Sequence, residues 1–348
     1  MDRMATIRDV AKYAHVSIST VSLVLNGSDA VKETTRFRVK EAIEALQYHP
    51  NQSARSLVTK QNQVIGVIKA TDIAHNTNHA FDGVVDTYVS EMLKSIGQES
   101  GKKGYSLLID WCFGDGSDDT SHLLYGDRVD GIILVGGFYS EKIAGLLDRF
   151  QLPVTLIGSR SDSLDYVDTK PDVGIRLAFD YLYSCGHRKI ALINGPAESG
   201  SSALKMEGFQ QSLQEHGIAF DPQWTRAGNF TGFDGYLCMK SIWESDIRPT
   251  AVIAATDCMA IGAIRYMNEI GLRCPDDVSF IGFEDSILAE YSAPPLSSVC
   301  VHKEILGREG TKILLRRVQN PKVRQNRLLI EPELVLRSSV RTIDNGTV

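Results

Sequence analysis

Few residue spacings in this 348-residue chain could support covalent chemistry, and each is incomplete. A serine nucleophile on a strand-to-helix elbow needs G-x-S-x-G, and a helical zinc pair needs H-E-x-x-H; neither occurs. The nearest phosphate loop, GQESGKK at 97–103, is one residue short and lacks the Ser/Thr that would hold magnesium. Gly114 and Gly116 run on into SDD instead of closing a dinucleotide-binding turn, and Asp118-Asp119 reads as a solvated loop. His187, just before the apolar run KIALI, reads as a turn histidine rather than a general base. Six cysteines (Cys112, Cys185, Cys238, Cys258, Cys274, Cys300) form no C-x-x-C pair and read as reduced, buried thiols. No catalytic residue, metal site or cofactor is expected. An enzyme such as a nucleotide-dependent transferase would need the phosphate loop that is missing.

The charge distribution points elsewhere. Residues 1–60 hold nine Lys/Arg against six acids, a net +3 within a chain of net −6, so the remainder carries −9. A small basic head on an acidic body suits a polyanion-binding module. Hydrophobic residues at 43% and charged residues at 23% are ordinary for a globular protein, and the length suggests two or three domains. The N-terminus MDRMATIRDV has no apolar signal region and no stretch nears the ~18 apolar residues of a membrane span, so a cytoplasmic protein with no membrane partner is expected.

The elements that would position these groups can be read from periodicity. Thr6 followed by Asp9 suggests a capping box opening a helix over about 7–14. Ser17 can cap a second helix, ISTVSLVL, with Val21, Val24 and Leu25 inward, ended by Asn26-Gly27. A third helix lies within VKETTRFRVKEAIEALQY, with Phe37, Val39, Ile43 and Leu46 expected inward. Pro50 then stops the helix, and the segment to Gln63 reads as a linker in which Asn51 could cap a short turn through SARSL. From Val64 to VSFIGF, strand-like and helical runs alternate, which predicts doubly wound parallel sheets, too many units for one sheet and therefore two similar lobes with a cleft at the strand C-terminal ends.

The segment TIRDVAKYAHVSISTVSLVLN, the hinge-like ARSL, and the later pieces RVDGIILV, GHRKIALINGP, AATDCMAIGAI and DVSFIGFED, in that order, closely resemble the lactose-repressor and galactose-repressor (LacI/GalR) family. The resemblance spans essentially the whole chain. It implies a small all-α helix-turn-helix head (1–49), a hinge (50–62) and an α/β body of periplasmic-binding-protein type (63–340), followed by a tail (341–348). The two doubly wound parallel-sheet lobes would comprise about 63–160 with 295–322, and about 161–294 with 323–340.

In a helix-turn-helix, the second helix enters the major groove by its N-terminal residues, so Ile18, Ser19, Thr20 and Ser22 would meet base edges or phosphates. Leu23 stands where many relatives carry Arg or His and could offer only an apolar contact, such as that with a thymine methyl, or be partly buried. Thr6, Ser17, Ser22, Asn26 and Arg36 suit phosphates. The resemblance makes Ala54, Arg55 and Leu57 part of a hinge that becomes helical on the operator, with Leu57 wedged into the minor groove. It carries effector-pocket roles to Tyr88, Ser199, Ser201, Lys205, Phe230, Asp257 and Glu284, Phe230 stacking on a sugar ring and the acids accepting hydroxyl protons. Arg160 could face the ligand or form a rim ion pair. Lys205 replaces the family's usual Arg, Glu284 its usual Asp, and the stretch 69–87 is long enough to displace Tyr88 from the cleft.

The implied function is a homodimeric repressor that binds a palindromic double-stranded DNA operator and responds to a carbohydrate-like effector. A family member controlled by a phosphorylated partner protein, or a sugar receptor that binds no DNA, are the alternatives. The acidic body would be repelled by DNA, so the head is expected to carry all direct contacts.

Overall fold

The computed structural model describes residues 5–25, 28–48, 62–71, 87–113, 123, 128–136, 152–245 and 247–343. The chain divides into two compact units, Met1–Asn62 and Gln63–Val348.

The first unit holds three helices, α1 (Ile7–Tyr13), α2 (Ile18–Leu25) and α3 (Glu33–Ala45). The Asp9 carboxylate accepts from the Thr6 N–H (2.8 Å) and hydroxyl (2.6 Å), closing the start of α1. Ser17 Oγ accepts from the Thr20 N–H (3.1 Å) and so caps α2. Val10, Ala14, Val21, Val24, Val39 and Ala42 form its core. Phe37, expected inward, is 70% exposed. At 100° per residue it lies on the side of α3 opposite Val39, and the inward stripe is Val39, Ala42, Ile43, Leu46.

The second unit contains two six-stranded sheets. In the first, β1 (Val64–Thr71), β2 (Ser106–Phe113), β3 (Gly131–Val135), β4 (Val154–Ile157), β5 (Asp165–Thr169) and β11 (Arg327–Ile330) run in the order β11-β5-β4-β3-β1-β2, every neighbouring pair parallel. Ile65, Val67, Ile133 and Ile157 face α4 (Thr87–Gly101) and α10 (Lys303–Gln319), while Ile68, Ile132, Leu134 and Leu156 form a separate cluster on the opposite face.

In the second sheet, β6 (Ile190–Asn194), β7 (Thr225–Ala227), β8 (Ala251–Ala254), β9 (Ser279–Glu284), β10 (Ser297–Cys300) and β12 (Glu333–Val335) run β12-β10-β9-β8-β6-β7, with β12 antiparallel to β10. One face packs on α5 (Pro171–Ser184) and α6 (Gly200–Glu215), the other on α7 (Gly232–Glu244) and α8 (Asp257–Glu269); α9 (Ile287–Tyr291) follows β9.

The lobe limits differ from those expected. Strand β5 belongs to the first sheet, β10 to the second and β11 to the first, so the chain crosses between lobes near 170, 301 and 331. Residues 161–169, 295–300 and 327–330 therefore lie in the opposite lobe from the expected one. The strands at the crossings are short and read weakly: DYVDT and SSVC carry too few apolar residues to reveal their pairing partner. An ion pair between Lys170 and Glu331 links two of the crossings, and His302 Nε2 lies 3.7 Å from Glu333 beside the third. Among the described residues, no helix is long and apolar enough to cross a membrane.

Candidate functional site

Two regions gather the residues singled out by sequence. On the first unit, the N-terminal half of α2 presents Ile18 and Ser19 exposed, with Thr20 and Ser22 partly buried. Leu23 is 43% exposed, which removes core packing as the reason for its apolar character. The hydroxyls of Ser17, Ser19 and Thr20 form a local network, Ser17 Oγ lying 2.7 Å from Ser19 Oγ and 2.8 Å from Thr20 Oγ1. Thr6 and Ser17 are thus already used as caps. Arg36 donates to the Ser28 carbonyl (2.9 Å), fixing the turn between α2 and α3 and leaving its other N–H groups available. Asn26, Ala54, Arg55 and Leu57 lie outside the described residues.

On the second unit, the C-terminal ends of β1, β4, β5, β8 and β9 converge on a buried cluster of charge. Lys205, on α6, is 4% exposed; its Nζ donates to the Ala255 carbonyl (3.1 Å) and sits 4.3 Å from the Phe283 ring centroid and 5.5 Å from that of Phe230. Burial lowers its pKa to about 8, against the attraction of Glu284 and Asp168. Asp168, closing β5, accepts from Arg160 Nε (2.8 Å), and Arg160 also donates to the Thr169 carbonyl (2.8 Å). Burial raises Asp168 despite that pairing. Arg160 is therefore committed to a bridge with Asp168 at the cleft wall.

Glu284, ending β9, adopts φ +103° and is followed by Asp285 at +49°, a strained turn for two non-glycine residues. Burial and then the charge of Asp257 push its carboxyl up to about 7, while Lys303, Lys205 and Lys69 oppose the shift. Asp257, at the first position of α8, is 1% exposed and holds that turn in place. It accepts from the Ser286 N–H (2.6 Å) and the Ser298 hydroxyl (2.5 Å), and burial raises it to about 6. Both its oxygens are engaged by protein groups, so its geometry is that of a strut beneath Glu284.

Tyr88 lies in the first turn of α4, its hydroxyl against Gly158, where a Cβ would come within 2.8 Å. Burial raises its pKa, with Asp168 and Glu284 adding to the shift, so Tyr88 shares the cleft with both acids. Residues 72–86 of the long stretch lie outside the described residues. Phe230, at φ +65°, packs its ring against Gly195, where a Cβ would meet it at 2.1 Å. Ser199 is buried as the cap of α6, accepting from the Ser202 N–H (3.4 Å), and Ser201 is partly buried in that helix's first turn.

Sequence reasoning missed the groups linking the lobes. Lys303 on α10 pairs with Glu91 on α4 (2.9 Å) and donates to the Glu284 carbonyl (2.6 Å), and Glu91 also accepts from the Ile287 N–H (3.0 Å). Asn194 closes β6 with its Oδ1 buried and, among the described residues, without a hydrogen-bond partner. Only a correct assignment of the crossing strands would have put Asp168 and Lys303 beside the cleft. The weaker chemical candidates fall away: 97–101 lies within α4 rather than on a loop, and the ring nitrogens of His187 meet Thr250 Oγ1 and the Arg341 carbonyl, both at 3.0 Å. Gly114, Gly116 and Asp118-Asp119 lie outside the described residues.

Comparison with known proteins agrees with this division of labour. Residues 6–51 match the bacterial regulatory proteins of the lacI family, and residues 179–340 match a periplasmic binding protein-like domain. An HTH-type transcriptional repressor PurR of Haemophilus influenzae (strain PittEE) is 35% identical over 347 residues, covering 98% of this chain and 100% of the relative. The PurR repressor of Klebsiella pneumoniae (strain 342) is 33% identical, covering 97% of each chain. Among solved structures, a Lac repressor dimer bound to operator and the anti-inducer ONPF gives a TM-score of 0.81 at 28% identity, covering 97% of this chain and all of that one. A complex of the transcriptional regulator CelR with cellobiose gives 0.72 at 28%, covering 96% and 99%.

Proposed function

Because the chain belongs to the lacI family of bacterial regulatory proteins, we propose that it represses transcription by binding a DNA operator in a manner set by a small effector held in the body's cleft. The observation that carries the reading is the exposed face of α2 on a compact three-helix unit, where Ile18, Ser19 and Leu23 are open to solvent. Such a helix enters the major groove, Leu23 giving the apolar contact that suits a thymine methyl, while Ser22, Asn26 and Arg36 position the backbone. Residues Ala54, Arg55 and Leu57 form the minor-groove hinge.

Two copies bind together, since one small head buries too little for tight specific recognition and a two-fold pair reads two half-sites. A groove lined by Ile261, Leu288 and Tyr291 together with Arg265, Asn268 and Glu269 offers one surface for the second copy. The effector is a polar, carbohydrate-like molecule: Phe230 supplies a ring face, and Glu284, Lys205, Tyr88 and the serines Ser199 and Ser201 supply polar groups around it. Closing the lobes on it shifts the chain's conformational equilibrium, and with it the affinity for operator. The protein works in the cytoplasm, where its DNA is.

Selecting binding sites from a random duplex pool with the full-length protein tests the DNA reading; enrichment of a palindrome with two half-sites is expected, and no enrichment refutes it. Thermal-shift screening against sugars tests the cleft, because a ligand at 100 Kd stabilises by about 2.7 kcal/mol. A sugar that binds without altering affinity for the selected palindrome refutes the coupling.

A further inference from the structure

The body is acidic overall, yet one edge of its first lobe is basic. The N-terminal ends of the parallel strands define that edge, and hydrogen bonds fix what lies along it. Ser106 N–H donates to the Gln63 carbonyl (2.9 Å), so the turn between α4 and β2, carrying Lys102 and Lys103, lies beside Gln63. Gln63 N–H donates to Asp130 (2.8 Å) and Asp130 N–H to the Val64 carbonyl (2.8 Å), bringing Arg128 alongside. The end of α10 packs on the start of β3, where a Cβ on Gly131 would lie 3.0 Å from Val318. From there the chain passes Lys322 and Arg324 before the Asn326 carbonyl accepts from the Tyr166 N–H (3.1 Å) at the start of β5.

Among the described residues, charge along this edge is one-sided. Lys103, Arg128, Arg316, Lys322 and Arg324 are exposed and form no ion pair among the described residues. Of the described acids that share the edge, Glu99 is held by Lys102 (2.8 Å), Asp165 by Arg317 (2.8 Å) and Asp130 by the Gln63 N–H (2.8 Å), while Asp162 is fully exposed with Arg327 3.7 Å away. Arg316 complements the C-terminal dipole of α10, and Lys103 lies just past the end of α4, but Arg128, Lys322 and Arg324 lie outside any helix and have no such role. Six strands at about 4.8 Å spacing make the row about 24 Å long, the axial length of about seven base pairs at 3.4 Å each.

We propose that this edge is a second, sequence-independent DNA surface, contacting phosphates that flank the site held by the head. The inference rests on the reading of the head as a DNA-binding unit. The chain reaches Gln63 from the head at this same edge, and the 13 residues 49–61 can span at most about 45 Å, so duplex held by the head stays at high effective concentration near the edge. On this proposal, contact with DNA is not confined to residues 1–60.

Salt titration of binding to a 40-base-pair random duplex, followed by fluorescence anisotropy with the full chain, tests the proposal. Each phosphate contact adds about 0.9 to the slope of log K against log salt. The triple variant Arg128→Ser, Lys322→Ser, Arg324→Ser should lose about 2 to 3 from that slope, and Lys103→Ser, on a different element, up to 0.9. The first three side chains make no ion pair among the described residues, so Tm should not change. A third protein, Ser19→Asp, separates the two readings. If wild type binds and Ser19→Asp does not, while both edge variants keep the wild-type slope, the head reading stands and the edge proposal is overturned. If Ser19→Asp binds as wild type does, the head reading fails.

Discussion

Replacing Glu284 by glutamine should stabilise the body at pH 8 and leave its stability nearly unchanged near pH 5. The reason is the sign of the pKa shift. In the unfolded chain a glutamate titrates near 4.5, whereas burial and Asp257 push Glu284 up to about 7 in the fold. Between those values the folded chain keeps a proton that the unfolded chain has released, so stability falls as pH rises through the window and stays low above pH 7. At 1.36 kcal/mol per unit, the ionised side chain costs roughly 3 kcal/mol above pH 7. Glutamine keeps the shape without the charge.

His187, whose pKa burial lowers, acts in the opposite sense below pH 6.5, and Asp257 titrates in the lower part of the window, but both remain in wild type and variant. The difference between the two proteins therefore reports Glu284 together with its coupling to Asp257 and Lys205. Thermal melts from pH 5 to 8 should show the Tm curves diverging with rising pH, the variant several degrees higher at pH 8, on a scale of about 2–4 °C per kcal/mol for a domain of this size. A variant less stable than wild type at pH 8 would show that attraction to Lys303, Lys205 and Lys69 outweighs burial, and the account of the cleft would be wrong.

Other outcomes are equally specific. Phe230→Ala should raise the Kd of the effector identified by thermal shift at least about 10-fold, or 1.4 kcal/mol, without loss of DNA binding; a large fall in Tm with unchanged ligand affinity would make the ring a core residue. Asp257→Ala leaves the Ser286 N–H and Ser298 hydroxyl without their acceptor, at about 1–3 kcal/mol each, so chemical denaturation should show a loss of up to roughly 2–6 kcal/mol, reduced above pH 6 by the buried charge the substitution removes; no loss at pH 5 would mean Asp257 is not a strut. Leu57→Ala should weaken operator binding by about 1–3 kcal/mol while affinity for random duplex hardly changes, and equal losses on both would remove the wedge from the hinge.

Much of the fold was legible because its elements obey simple periods. GIILV and AVIA are buried throughout and VIGVI from Ile65 to Ile68, as strands covered on both faces must be, and each announces itself as an apolar run. Ser17 and the Thr6–Asp9 pair cap the helices their chemistry suggests, because a cap is a local event between residues three apart. Phe37 misled because hydrophobicity alone was read as burial, whereas the angle around α3 sets it opposite the core. The crossings were hidden for a deeper reason. Strands β5, β10, β11 and β12 have three to five residues each, and which sheet they join is decided by partners more than a hundred residues away or by a single register of backbone bonds.

Those hidden crossings also decide the chemistry of the cleft. Tyr88, Lys205, Asp257 and Glu284 could be singled out because each sits in or near a recognisable motif, but their roles differ according to neighbours no motif contains. Asp257 is singled out as a ligand acceptor without sight of Ser286 and Ser298, which each bond one of its oxygens, and for Arg160 the choice between ligand and ion pair waits on Asp168 arriving on β5. The same crossing that brings β10 into the second lobe delivers Lys303 to the first, where it joins Glu91 to the carbonyl of Glu284. One lysine therefore touches both lobes and the strained turn at once. An effector displacing or reorganising Glu284 would act directly on that junction, which gives the cleft a physical route to lobe closure.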